Sequence, residues 1–190
     1  MTERIHSFDA LVDRNARILI LGSMPGLASL AQMHYYAHPR NAFWPIMASL
    51  LGFAADADYR ERCRALLAGG VALWDVMASC RRRGSLDAAI DDTSIVTNDI
   101  AGLLRGHPAI RAVFFNGSKA EQCFRRHVAP ALDPRSAALP RQRLPSTSPA
   151  HAGLSREAKR EIWQTLLSQA LATLPDEALA AGPRQPSRAG

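Results

Sequence analysis

Four consecutive apolar residues, Ile18 to Leu21, follow Arg17 and stop abruptly at Gly22-Ser23-Met24-Pro25-Gly26. No other stretch restricts the fold as tightly. A run this short, apolar at every position, predicts a strand buried on both faces. That is the habit of a parallel sheet covered by helices. The five residues after it predict a tight loop, since glycine admits backbone angles that other residues avoid and proline fixes one of its own. In an open parallel sheet, ligands sit at the loops that leave the carboxyl ends of the strands. Further on, Asn41 and Phe43 set an amide beside a large ring at the start of the next helical pattern. That arrangement suits a planar polar ligand.

Strand and helix patterns then alternate. A short helix is expected over 27–33. The spacing of Phe43, Ile46, Met47, Leu50 and Leu51 predicts a helix stopped by Gly52. A helix over 58–67 ends at Gly69-Gly70, and a strand over 71–74 ends at Asp75. Residues 80–85, Cys-Arg-Arg-Arg-Gly-Ser, read as a basic loop. Asp91-Asp92-Thr93 reads as the start of a helix that carries Ile95, Ile100, Leu103 and Leu104 and closes at Gly106. A third strand over 112–115 ends at Asn116-Gly117. A helix over 119–128 and a surface loop over 129–141 follow. A fourth strand over 141–144 ends at Pro145, and a long helix over 156–174 starts from a Ser155 cap. Residues 1–16 read as a polar lead-in from which Phe8 and Leu11 pack onto the body.

This alternation predicts an α/β fold, a three-layer α/β/α sandwich with a central four-stranded, mainly parallel sheet. With 190 residues, 47% of them apolar, one domain is expected. It would span 1–175, and 176–190 would be a mobile tail of Gly, Pro, Ala and Arg without pattern.

Composition narrows the function classes. The chain holds 23 basic and 17 acidic residues, a net charge of +6, and every basic residue except Lys119 and Lys159 is arginine. That fits either a coding bias or a surface turned toward phosphate. Three separated cysteines, Cys63, Cys80 and Cys123, cannot supply a four-thiolate centre. The G-x-G-x-x-G and P-loop fingerprints are absent. No apolar run reaches the roughly 20 residues of a membrane helix. A polar 1–9 stretch and an odd cysteine count fit a reducing compartment. The expectation is a cytoplasmic monomer with no membrane partner.

Four strand ends would converge on one edge of such a sheet: 22–26, Asp75, Asn116-Gly117, and Ser146-Thr147-Ser148-Pro149-Ala150-His151. Together they would assemble amides, hydroxyls, a histidine and, in Asp75, a lone carboxylate. They offer no glycine-flanked serine of the nucleophile-elbow type.

Gly22-Ser-Met-Pro-Gly26, Tyr35-Tyr-Ala-His-Pro-Arg-Asn-Ala-Phe-Trp44, Leu73-Trp-Asp-Val76 and Ser146-Thr-Ser-Pro-Ala-His-Ala152 resemble the uracil-DNA glycosylase superfamily. The closest branch is that of the hypoxanthine-DNA (deoxyinosine) glycosylases, and the resemblance covers residues 17–172. It implies a monofunctional DNA glycosylase of base excision repair, working without metal or cofactor on deaminated bases in double-stranded or single-stranded DNA at the nucleoid. Such an enzyme flips the base out of the stack and hydrolyses its N-glycosidic bond through an oxocarbenium-like sugar.

Mismatch-type relatives carry an asparagine at the third position of the first motif, where this chain has Met24. The resemblance therefore moves the positioning of water to Asn41. It gives His151 the role of donating to the leaving base or to a nearby phosphate. Base binding falls to Gly22, Met24, Pro25, Tyr36, Phe43 and Asp75. Phe43 would stack on the base, and the Asp75 carboxylate would accept from one of its N–H groups. DNA contacts fall to Arg40, Ser146 and Ser148, with Arg81 to Arg83 as further phosphate contacts and Leu154 as an apolar wedge.

Each residue has a structural alternative. Asn41 would be a helix cap, Phe43 and Tyr36 packing rings, and Asp75 the cap of a turn, while Asn116 would either read the base or shape the turn with Gly117. Two other classes stay open. One is a damaged-DNA-binding module without catalysis, favoured by Met24. The other is a small-molecule enzyme of nucleoside-hydrolase type, which would need a cluster of carboxylates around a metal.

Overall fold

The computed structural model describes residues 4–172. In chain order the elements are β1 (Arg4–His6), β2 (Ile18–Gly22), α1 (Leu27–Gln32), α2 (Phe43–Leu51), α3 (Tyr59–Ala68), β3 (Val71–Asp75), β4 (Met77–Arg82) and β5 (Ile90–Thr97). They continue as α4 (Ile100–Gly106), β6 (Ala112–Asn116), α5 (Ser118–Cys123), α6 (Pro134–Ala137), β7 (Arg141–Leu144) and α7 (Arg156–Ala172). Four strands lie side by side in the order β3-β2-β6-β7, all parallel. Helices pack on both faces, giving the three-layer α/β/α sandwich expected from the sequence.

The buried run β2 organises both layers. All five of its residues are inaccessible to solvent. Ile18 and Ile20 enter a core with Phe43, Ile46 and Met47 of α2, Leu66 of α3, and Trp163 and Leu167 of α7. Leu19 and Leu21 enter the opposite core with Leu103 and Leu104 of α4 and Cys123 of α5. Burying one such side chain is worth roughly 1.5–3 kcal/mol, so this strand anchors two cores at once. The helices start where capping chemistry allows. Asp58 accepts from the Glu61 N–H, Asp99 from Gly102 and Ser155 from Ala158. Helix α2 ends at Gly52, which takes a left-handed φ of 74°.

The structure corrects the reading of 76–99. Cys80, Arg81 and Arg82 of the basic loop expected at 80–85 belong to strand β4, with 83–85 forming the turn after it, and the helix start expected at Asp91 is strand β5. With β1 they form a second, antiparallel sheet in the order β1-β4-β5. Thr93, Ile95, Val96 and Thr97 are β-branched and suit a pleated surface better than a helix. The helical turn begins only at Ile100. The alternation was hidden for two reasons. Register shifts at Ser79 break the period of two, and Arg82 points inward, 4% exposed.

The lead-in is also more ordered than expected. It supplies β1, and Leu11 bridges to Leu73 through a pair of backbone hydrogen bonds of 2.9 Å. Helix α5 continues through a π-helical turn, Phe124–Val128. The proposed end of the last helix at 174 and the tail 176–190 lie outside the described residues. No helix among those described is long and apolar enough to cross a membrane.

Candidate active site

The carboxyl ends of β2, β3, β6 and β7 open into a cavity of about 490 Å³, a size suited to a small ligand. Strand β2 leads into Gly22 to Gly26, β3 delivers Asp75, β6 delivers Asn116, and β7 leads into Ser146 to His151. The antiparallel sheet adds Leu86 and Asp87 from the β4–β5 connection. Gly22, Met24, Pro25, Tyr36, Asn41 and Asp75 all line the cavity, as do Ser146, Ser148 and His151. Phe43, Arg40 and Leu154 lie outside its lining.

Asp75 is buried at the end of β3. Its Oδ2 accepts from the Ser7 hydroxyl at 2.6 Å, and its Oδ1 lies over Gly22. A Cβ built on Gly22 would fall 2.2 Å from that oxygen and 3.0 Å from the Tyr36 hydroxyl, so only glycine permits this approach. Burial pushes the Asp75 carboxyl up to about 7, helped by the nearby Asp87 and opposed by the Ser7 hydrogen bond and the Arg82 charge. Asp87 is raised as well, chiefly by burial, although Ser23 donates to it at 2.8 Å. Asp75 is therefore not a lone carboxylate. The signal for Asp87 was its place two residues after Gly84-Ser85, and it fell between the stretch read as a basic loop, 80–85, and the helix start read at Asp91.

Tyr36 lines the cavity with Phe43 stacked on it, ring centroids 4.0 Å apart. Phe43 is fully buried between Tyr36, Trp44 and Trp163. The ring available to a ligand is thus Tyr36, and Phe43 backs it as part of the core. Tyr36 takes a left-handed φ of 53°, unusual for an aromatic residue and typical of positions that a site over-determines. Its hydroxyl is buried without a hydrogen-bond partner, and burial beside Asp75 keeps it protonated.

Asn41 precedes α2, whose cap residue is Ala42 rather than Asn41. The Asn41 Oδ1 nonetheless accepts from the Phe43 N–H at 3.0 Å. That bond fixes the amide and leaves it a second lone pair and its N–H groups. The adjoining Ala42 N–H donates to the Thr147 carbonyl at 3.0 Å, which places Asn41 where the two sides of the cavity meet.

Each side is latched by a residue that sequence reasoning assigned elsewhere or missed. Arg82, expected to face phosphate, is buried and donates to the Met24 and Pro25 carbonyls, holding the 22–26 loop. Arg81 and Arg83 are exposed. Asn116 lines the cavity from the end of β6. It exchanges two hydrogen bonds with Thr147, at 2.8 and 2.9 Å, tying β6 to the loop after β7. Lys159 of α7, 5% exposed, donates to the carbonyls of His151 at 2.6 Å and Ser148 at 3.5 Å. It is one of only two lysines in an arginine-rich chain, which was its one visible signal.

The sequence profile of the Uracil DNA glycosylase superfamily matches residues 9–167, and the convergence of four strand ends described above falls within that match. The chain belongs to the uracil DNA glycosylase superfamily. By class it is therefore a DNA glycosylase, and DNA is its substrate. It is 34% identical over 160 residues to a hypoxanthine DNA glycosylase of Methanosarcina acetivorans, covering 84% of this chain and 95% of that one. It is 38% identical over 114 residues to a hypoxanthine DNA glycosylase of Methanosarcina barkeri, covering 60% and 71%. The fold is similar to a solution NMR structure from Methanosarcina acetivorans described as a candidate uracil DNA glycosylase. The TM-score is 0.69 at 31% identity, over 87% of this chain and 99% of that one.

Proposed function

We propose that this protein is a monofunctional glycosylase that flips a deaminated base, hypoxanthine and/or uracil, out of DNA and hydrolyses its N-glycosidic bond. One observation carries the choice of base: the acceptor Asp75 and the unpartnered donor Tyr36 converge over Gly22. Deamination turns an amino group into a carbonyl and a ring nitrogen into an N–H. Hypoxanthine and uracil thus present an N–H beside a C=O. An ionised Asp75 accepts from the first and the Tyr36 hydroxyl donates to the second. Adenine and cytosine present the reverse pattern and leave both groups unpaired, which is costly in a closed site. The two relatives named hypoxanthine DNA glycosylases agree with this reading.

In the reaction, the C1′–N bond breaks and its electron pair leaves with the base. A water held by Asn41 adds to C1′, and its proton ends on the departing base anion, so that the base leaves neutral. An amide is too weak to act as a strong base, so the role of Asn41 is placement. His151, on the cavity rim, donates to the departing base or to the adjoining phosphate. Ser146 and Ser148 engage the strand backbone through hydroxyl and N–H groups.

The test is a cleavage assay with chelator present, on DNA carrying hypoxanthine, uracil, xanthine or a T·G mismatch, with abasic sites read out by alkali. Hypoxanthine or uracil release is the expected result. Absence of abasic product from every substrate overturns the reading, and binding without product would leave a damaged-DNA-binding module.

A further inference from the structure

The lead-in before the central strand reaches the base-reading pair from outside the cavity. Strand β1 lies antiparallel to β4, with Arg4 opposite Arg81 and His6 opposite Ser79. The chain then leaves the sheet at Ser7, whose N–H donates to the Ala78 carbonyl at 2.9 Å. The next residues are fixed from several directions. The Trp74 indole donates to the Phe8 carbonyl at 2.9 Å. The Tyr35 hydroxyl donates to the Asp9 carbonyl at 3.1 Å, and the Phe8 ring stands edge-on to Tyr35, centroids 5.1 Å apart. A side chain carried by this segment is held in place before any ligand arrives.

Ser7 is that side chain. Its hydroxyl donates to Asp75 Oδ2 at 2.6 Å, and Ser7 itself does not line the cavity. It reaches a bound base only through Asp75. A hydroxyl has one proton to give. Given to Oδ2, that proton engages one carboxylate oxygen, leaves Oδ1 over Gly22 and favours the ionised carboxyl. Ionisation decides what the group can read, because a protonated carboxyl is a donor and refuses an N–H. The other titratable groups around Asp75 do not take this part. Asp87 opposes its charge, and the Tyr35 and Tyr36 hydroxyls are kept protonated by burial. Arg82 favours the charge, but its guanidinium is bonded to the Gly84 and Pro25 carbonyls.

We infer that Ser7 is a positioning residue of the reaction, holding Asp75 as an oriented acceptor for the N–H of the flipped base. The inference rests on the reading of Asp75 as the group that meets that N–H, and adds the lead-in as the element that sets it.

The experiment compares the unaltered protein with Ser7→Ala, Ser7→Thr, Asp75→Asn and the double variant Ser7→Ala/Asp75→Asn. Single-turnover excision from a hypoxanthine-bearing oligonucleotide is followed between about pH 6 and pH 9. Without the hydroxyl, the carboxyl keeps its proton to higher pH. The rate rise in Ser7→Ala should move up by about one pH unit, a loss of about fivefold at pH 7 and under about twofold at pH 9. Ser7→Thr keeps the hydroxyl and should restore the profile. In the Asp75→Asn background, Ser7→Ala should add less than about twofold at any pH. A loss that is the same at every pH, a loss that persists without Asp75, or a Ser7→Thr profile like that of Ser7→Ala overturns the inference. As a second measurement that needs no DNA, the Asp75 carboxyl is titrated by carbon-13 NMR, its signal assigned by its absence in Asp75→Asn. The midpoint should lie higher in Ser7→Ala than in the unaltered protein. Product release together with an unchanged midpoint overturns the inference alone. No product from the unaltered protein overturns the glycosylase reading, and the inference with it.

Discussion

The two sides of the cavity are held by opposite means. On one side, the 22–26 loop is joined to the β4–β5 hairpin by Ser23 donating to Asp87 and by the buried Arg82 donating to the Pro25 carbonyl, with the buried Asp75 beside them accepting from Ser7. On the other, which offers no carboxylate in these bonds, residues 146–151 are held by the Asn116 amide paired with Thr147 and by the Lys159 ammonium on the carbonyls of His151 and Ser148. The first side carries Asp75, whose carboxyl is pushed up to about 7 by burial. The second fixes the loop that carries the Ser146 and Ser148 hydroxyls, the groups proposed to meet the DNA backbone. A planar base and a charged backbone have different needs, and the division matches them. Chemistry on the first side should respond to pH, and affinity should respond to the second.

The largest effect is expected where the sides meet. Asn41→Ala should lower kcat by about a hundredfold or more, because a displaced water is no longer aligned with C1′. Single-turnover excision measures this, and a full rate in the variant would remove Asn41 from the chemistry.

Asp75→Asn should cost roughly tenfold or more through the lost charge-assisted contact. The rate of the unaltered enzyme should rise as the pH passes about 7, where Asp75 ionises, and the asparagine variant should lack that rise. Stability should move the other way. The folded carboxyl titrates at about 7 against an ordinary 3.8. The native state therefore holds a proton that the unfolded chain has released, and stability falls between those two pH values, by up to roughly 4 kcal/mol. Melting curves at pH 5 and pH 8 should differ less for Asp75→Asn than for the unaltered protein. An unchanged difference would mean that the buried carboxyl does not titrate in this range.

The smallest effect tests the second side. Lys159→Met keeps the packed stem and removes the bonds to His151 and Ser148. It should raise KM for DNA by about three- to tenfold, with kcat and the pH profile nearly unchanged. A shifted pH profile in Lys159→Met would erase the distinction between the two sides.

The parallel sheet was legible because burial on both faces writes a continuous apolar run, as in Ile18 to Leu21 and Ala112 to Phe115. The cavity was legible in outline because strand ends converge by topology alone. The second sheet was not. Its strands are half exposed, interrupted by register shifts, and rich in the aspartates and arginines that mark loops elsewhere. The same ambiguity hid Asp87 and gave Arg82 to the solvent. Phe43 was placed in contact with the base because a sequence shows that two rings are close, and not which of them stands in front. Lys159 acts on backbone carbonyls and Thr147 on an amide 31 residues away in sequence, and neither kind of partner leaves a pattern in a sequence.

One detail at the margin of the sheet has a wider consequence. Edge strands offer unpaired backbone groups on which other chains can assemble. Here β3 has Leu11 stitched to Leu73 along its outer side. Strand β7 turns Arg141, Gln142 and Arg143 to solvent, with Arg143 paired to Glu121 at 3.3 Å. The lead-in that looked like a mere approach to the domain thus also guards it. It denies a neighbouring molecule the template on which strands add side by side into aggregates.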